Sequence, residues 1–315
     1  MKQSEFLQAF EQGERVFVDI EFDDLLFDNF CCEDLTFHHC TFQSLKIISG
    51  TWKSILLNEC QLNHWSAEEW HLESMTLNQC LIEQGVFEHC VFAEIVETDC
   101  RWCNVSWQQC ELNEWSATDS AFYNSVIDQS QLEHISFNQV ETSGLQLFDC
   151  QMQLCAFREC RCGHWIIDWS RASQCAFHES DLSNMSGLTG QMLDRHSFEG
   201  STLNQIDLSS IQALGCDFSH VIIQNARFDQ ARLAFTSFMA SDLSKVSFVG
   251  AQLQYANFNQ ARITQVQFEH ANVQKAQFID VEIPKGAFSD DQITQLVLKE
   301  DLKDTQQRWK QQEGL

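Results

Sequence analysis

From Phe198 to Ile283 every fifth residue is apolar, running Phe198, Leu203, Leu208, Ala213, Phe218 and so on to Phe278 and Ile283. The residue two places before each is small or aliphatic, from Ser201, Ile206 and Ile211 to Ala271, Ala276 and Val281. A period of five fits neither the 3.6 of a helix nor the 2 of a half-buried strand. A five-residue unit with two apolar positions cannot enclose a core alone, so it must stack on copies of itself. If each pentad forms one side of a square coil, residues twenty apart lie above one another at a spacing of about 4.8 Å.

Period twenty is visible inside period five. Phe198, Phe218, Phe238, Phe258 and Phe278 form one column, and Phe228, Phe248, Phe268 and Phe288 another. Leu203, Ile223, Leu243, Ile263 and Ile283, with Leu193, Ala213, Leu233, Leu253 and Val273, supply two aliphatic columns. Like-on-like stacking lets each coil repeat one rotamer and fill space evenly. Units such as Ser241-Asp242-Leu243-Ser244-Lys245, Ala256-Asn257-Phe258-Asn259-Gln260 and Ala226-Arg227-Phe228-Asp229-Gln230 resemble the pentapeptide repeat family. The resemblance implies an all-β solenoid, a right-handed quadrilateral β-helix.

Between Phe22 and Leu182 the same repeat runs in a different frame and with looser composition. Ten of the fifteen cysteines (Cys40, Cys60, Cys80, Cys90, Cys100, Cys110, Cys150, Cys155, Cys160 and Cys175) share its small-residue position, where a thiol acts as a small buried hydrophobe. Trp65 precedes Gly85 by twenty, and Trp70 follows Gly50 by twenty; in Trp65-Ser66-Ala67 and Trp115-Ser116-Ala117 the large and small positions are exchanged. These look like volume compensation. Glu97 falls on an inward position, where a carboxylate is costly; a bulge that turns Val96 inward, or an outward Glu97, is expected, with Thr142 a milder exception. The sequence thus divides into an N-terminal cap (1–21), an irregular acidic Cys- and Trp-rich β-helix (22–182), a frame shift at 183–187 read as a bulge or small loop, a regular β-helix (188–288) and a C-terminal helix (289–315) starting at Asp290 or Asp291 and running to about Gln312. The repeats amount to about 13 coils, or roughly 60 Å at strand spacing. Ile293, Leu296, Val297 and Trp309 would face the last coil or a second chain, since the resemblance implies homodimers through the carboxy-terminal end.

The net charge is −26, and up to Ser183 there are 8 Lys and Arg against 30 Asp and Glu. Direct nucleic-acid binding is disfavoured, because phosphate contacts need cations. Asp19, Glu59, Asp99, Asp119, Glu159 and Glu179 fall in one outward column, interrupted by His39, Gln79 and Gln139; Asp28, Glu68, Glu88, Asp128 and Asp168 fall in another, interrupted by Ile48, Gln108 and Phe148. Carboxylates repeating along a column imitate a run of phosphates to a basic partner.

There is no nucleophile elbow, phosphate-binding glycine loop, HExxH or dinucleotide fingerprint, so neither an enzyme nor a cofactor is expected. Cys100 and Cys103, or Cys160 and Cys162 with His164, do not make four converging ligands, so no metal is expected either. The remaining histidines mostly fall on corners, His196 on an inward position. The amino terminus lacks the apolar core of a signal peptide, and no apolar run reaches the ~20 residues of a membrane span; a cytoplasmic location is expected. The expected function is a rigid, non-catalytic, acidic scaffold for a protein with a basic surface. The family resemblance sharpens this to a DNA mimic that binds DNA gyrase or topoisomerase. The alternative is an accessory or effector module of a bacterial secretion system of the type VI kind.

Overall fold

The computed structural model describes residues 1–142, 144–162 and 171–298. The chain forms a parallel β-solenoid in two compact units, Met1–Cys175 and Ala176–Leu315.

The first unit opens with α1 (Gln3–Glu11). The Lys2 amide donates to the Glu5 carboxylate at 2.8 Å, tying down the helix start. Phe6 is fully buried and packs on Phe17, Phe22 and Phe27 at centroid distances of 5.0, 5.9 and 5.5 Å. The helix thereby covers the apolar end of the first coil, which would otherwise be open.

The first coil is β1 (Val16–Val18), β2 (Glu21–Phe22), β3 (Leu25–Asp28) and β4 (Cys32–Glu33), one strand per face. The faces that begin with these strands are called first to fourth. Each strand pairs in parallel with the one twenty residues on. On the first face the inward positions run Phe17, Phe37, Leu57, Leu77, Glu97, Ala117, Phe137 and Phe157. At nearly every corner one residue has a positive φ, for example 51° at His39 and 53° at Glu59. That left-handed residue turns the chain by a side of the square while its amide still reaches the next coil; the His39 amide donates to the Asn58 carbonyl at 2.9 Å.

The cysteine position is inward. Cys40, Cys60 and Cys80 are buried, and each thiol donates to the carbonyl of the residue 23 earlier at 3.4 Å. A thiol there fills a small volume and also answers a carbonyl that faces the core, which alanine would leave to the ladder alone. Burial pushes the Cys32 and Cys150 thiols up to about 12 and about 11, so these are packing groups rather than nucleophiles. The Trp compensation is also physical: a Cβ on Gly85 would lie 3.2 Å from Phe87, whose ring packs edge-on to Trp65 at 5.1 Å.

Glu97 departs from expectation. No bulge forms: Glu97 is 1% exposed and Val96 is 49% exposed, in unbroken register with Leu77 and Ala117. Its Oε2 accepts a 2.6 Å hydrogen bond from Trp102 Nε1. Burial drives its carboxyl well above the usual range, so it enters the core as a neutral acid. Thr142 is buried as well and donates to the Arg161 carbonyl at 2.9 Å.

In the second unit coils are closed mainly by tight turns and single bridges. One face is a four-stranded parallel sheet of Thr202–Asn204, Ile222–Gln224, Asp242–Ser244 and Arg262–Thr264. The Phe198, Phe218, Phe238, Phe258, Phe278 column stacks at 4.8, 5.3, 4.9 and 4.7 Å, with rings within 9° of parallel. The second Phe column meets it edge-on, as Phe228 does Phe238 at 5.8 Å and 89°. Asp181 pairs with Thr202, 21 residues on, whereas Met192 pairs with Gln212, 20 on. The extra residue lies where Met185 and Leu188 are buried and Ser186 and Gly187 are exposed, with Gly187 at φ 79°. His196 is buried, its Nδ1 3.2 Å from the Asp194 carbonyl.

The carboxy-terminal helix is shorter than the sequence suggests. α2 spans Asp290–Ile293, after which the Val297 amide donates to the Ala276 carbonyl at 2.9 Å and the Val297 carbonyl accepts from Phe278 at 3.0 Å. Backbone groups on the open edge of the last coil take the chain back from the helix. Leu296 is buried against that coil and Ile293 is exposed. Trp309 and the expected helix beyond 298 lie outside the described residues.

Candidate functional site

The candidate surface lies on the first unit, which carries 8 Lys and Arg against 28 Asp and Glu. Asp19, Glu59, Asp99, Asp119 and Glu159 all sit at the corner that follows the first face, each with φ between 51° and 55°. The left-handed backbone throws their side chains outward.

The residues that interrupt the column have a role that the spacing alone did not reveal. His39 lies between two carboxylates, with Nδ1 3.4 Å from Asp19 and Nε2 3.0 Å from Glu59. The Gln79 side-chain amide donates to Asp99 at 3.4 Å, and that of Gln139 to Glu159 at 2.9 Å. His39 bridges two carboxylates, Gln79 and Gln139 each hold one, and all three separate acids that would otherwise stack on like charge. Asp99 and Asp119 are successive acids without such a bridge. Arg158 stands 3.4 Å from Glu159 and tempers that end of the column.

Asp28, Glu68, Glu88 and Asp128 lie at the end of the third face, on the side of the square away from the first. The two columns therefore flank diagonally opposed corners and do not form one continuous strip. Glu68 is in register with Glu88, both are exposed, and no cation pairs with either among the described residues. Asp168 lies outside the described residues. Glu179 belongs to the second unit, where it is an exposed corner residue with φ 51°.

A third acidic corner went unrecognised in the sequence. Asp34, Glu94 and Glu114 are exposed with φ of 58°, 56° and 53°, and Glu94 and Glu114 lie on successive coils. The same twenty-residue count, applied to the corner between the fourth and first faces, would have found them. Among the described residues no cluster of three or more His, Cys, Asp or Glu is disposed to hold a metal ion, and no helix is long and apolar enough to cross a membrane.

Residues 215–298 match the family model described as a pentapeptide repeat region. Among solved structures the chain is similar to a pentapeptide repeat protein of the Arabidopsis thaliana thylakoid lumen, at 27% identity over 34% of this chain and 67% of that one (TM-score 0.24). It is similar to HetL of the cyanobacterium Nostoc, involved in heterocyst differentiation regulation, at 14% identity over 88% and 97% of the two chains (TM-score 0.22). It is also similar to QnrB1, a plasmid-mediated fluoroquinolone resistance protein, at 11% identity over 76% and 96% (TM-score 0.29). No curated protein matches the chain.

Proposed function

As a pentapeptide-repeat protein, this chain, we propose, is a non-catalytic cytoplasmic scaffold whose acidic first unit binds a protein with a basic, DNA-accepting surface, DNA gyrase being the candidate. The observation that carries this reading is the in-register pair Glu68 and Glu88, exposed and, among the described residues, without a cation. Like charges directly opposite on neighbouring strands oppose folding. Carboxylates kept in that arrangement, on strands whose register holds them about 4.8 Å apart, are preorganised for a cationic partner. Such a partner gains from the fixed spacing because little side-chain order is lost on binding.

The basic groove that receives duplex DNA is a surface evolved for repeating anions. Acidic corners on several sides of the unit present anions to such a groove from more than one direction. The test is a gyrase supercoiling assay with the full chain in stoichiometric excess. Inhibition, or protection against a gyrase poison, is expected, and it should weaken as salt rises. If excess protein does neither at low salt, gyrase is not the partner.

A further inference from the structure

The second unit carries an exposed aromatic column that the acidic surface does not use. At one corner, successive coils present Arg195, Gly215, Phe235, Tyr255 and Lys275, all exposed and all with φ between 58° and 65°. Their order along the corner is set by amide-to-carbonyl bonds from Arg195 to Leu214, Gly215 to Ala234 and Phe235 to Gln254. Phe235 is 62% exposed, and a bulky residue at positive φ is uncommon. Its ring stacks on Tyr255 at 4.9 Å and 3°, and Lys275 Nζ stands 5.5 Å from the Tyr255 centroid. The other face of Phe235 looks over Gly215, where an added Cβ would meet nothing within 4 Å. The column thus contains a gap one coil deep, bounded by Phe235 on one side and Arg195 on the other, with Leu214 beside it at 50% exposure. No carboxylate is within ion-pair distance of Arg195 among the described residues.

The gap and the ring that would fill it occur once each, on adjacent coils of one corner. That makes the corner self-complementary. A two-fold axis midway between the Gly215 and Phe235 levels, with two corners side by side and antiparallel, sets each Phe235 in the other copy's gap. The same axis brings each Arg195 level with the other copy's Tyr255, whose ring faces are taken by Phe235 and Lys275 and whose hydroxyl can accept from a guanidinium. An isologous interface requires this reciprocity, and a ring bounded by a ring and a guanidinium is the anchor such contacts favour. We propose that the chain self-associates through this corner, with Phe235 of each copy seated over Gly215 of the other. This differs from the carboxy-terminal pairing expected from the sequence, and it stands independently of the acidic surface.

Sedimentation equilibrium of the full chain tests it. Gly215→Phe fills the gap in place, at a φ that Phe235 itself adopts, so it should fold. Gly215→Phe and Phe235→Ala should each weaken self-association by about tenfold or more, while Met239→Ala, at a different corner, leaves it unchanged. A benzophenone amino acid in place of Phe235, irradiated in a mixture of heavy- and normal-isotope chains, should give mixed-isotope adducts at Leu214 or Gly215. A chain that stays monomeric up to ~1 mM, a dimer indifferent to Gly215→Phe, or adducts that map elsewhere would each overturn the proposal.

Discussion

Phe238 lies between Phe218 and Phe258 at 5.3 and 4.9 Å, with Phe228 and Phe248 edge-on at 5.8 and 5.5 Å. Both faces of the ring and two of its edge contacts are aromatic, and a rigid ladder cannot collapse into a hole. Phe238→Ala should therefore cost about 3–5 kcal/mol, read as a lower denaturant midpoint. Glu97 makes a different prediction. Burial raises its folded-state pKa above the ordinary 4.5, so the folded chain holds a proton that the unfolded chain releases. The stability attached to that proton is fully present below about 4.5 and is lost as pH rises toward the folded-state pKa. Glu97→Gln keeps the shape and removes the titration. Its melting temperature should match the parent near pH 4 and exceed it at pH 8; an equal gap at both would show the carboxyl is not the titrating group. The periodicity marked Glu97 as the misfit, but its outward escape was not realised. Moving one residue outward would have flipped the strand that register with Leu77 and Ala117 holds in place.

At the scale of elements, caps and corners differ in what the sequence displayed. α1 lies within the stretch read from the sequence as an N-terminal cap, and its Phe6 is the plug of the first coil. Phe6→Asp should open that coil, seen as faster amide exchange over Val16–Asp28 with protection at Phe87–Phe137 retained. α2 was legible at its start, where the Ser289 hydroxyl accepts from the Gln292 amide at 3.3 Å, but not at its end. Helical propensity after Asp290 had no knowledge of the unpaired edge that draws Val297 back into the coil. Corner glycines divide in the same way. Gly50 has φ 102°, and a Cβ there would lie 2.3 Å from the Phe30 carbonyl oxygen, whereas Gly215 faces open space. Gly50→Ala should lower the melting temperature by several degrees, and Gly215→Ala should leave it within a degree or two; equal losses would refute the steric account.

For the whole chain, the −26 charge is concentrated in the first unit, and function is read from where that charge cannot neutralise itself. Neutralising Glu59, Asp99, Asp119 and Glu159 to their amides should leave circular dichroism and melting nearly unchanged. The same change should weaken binding to gyrase by about tenfold or more if these corners are its contact. Unchanged affinity would move the contact to the Glu68–Glu88 edge or to the Asp34–Glu94–Glu114 corner. The acidic columns were visible in the sequence because outward residues twenty apart must share a corner. Their internal bridges were not, since which amide or imidazole reaches which carboxylate depends on side-chain direction at a left-handed corner.

The order of residues was enough to give the coil, its period of twenty, the identity of the stacked columns and the concentration of acid toward the amino terminus. Each of these follows from residue spacing, which fixes what stands above what. The packed fold was needed to show that Glu97 is buried, which carboxylates His39, Gln79 and Gln139 reach, that the chain rejoins the coil at Val297 and that the gap above Gly215 is open. These depend on the directions of side chains and on which backbone groups remain unpaired after stacking, and neither is a property of spacing along the chain.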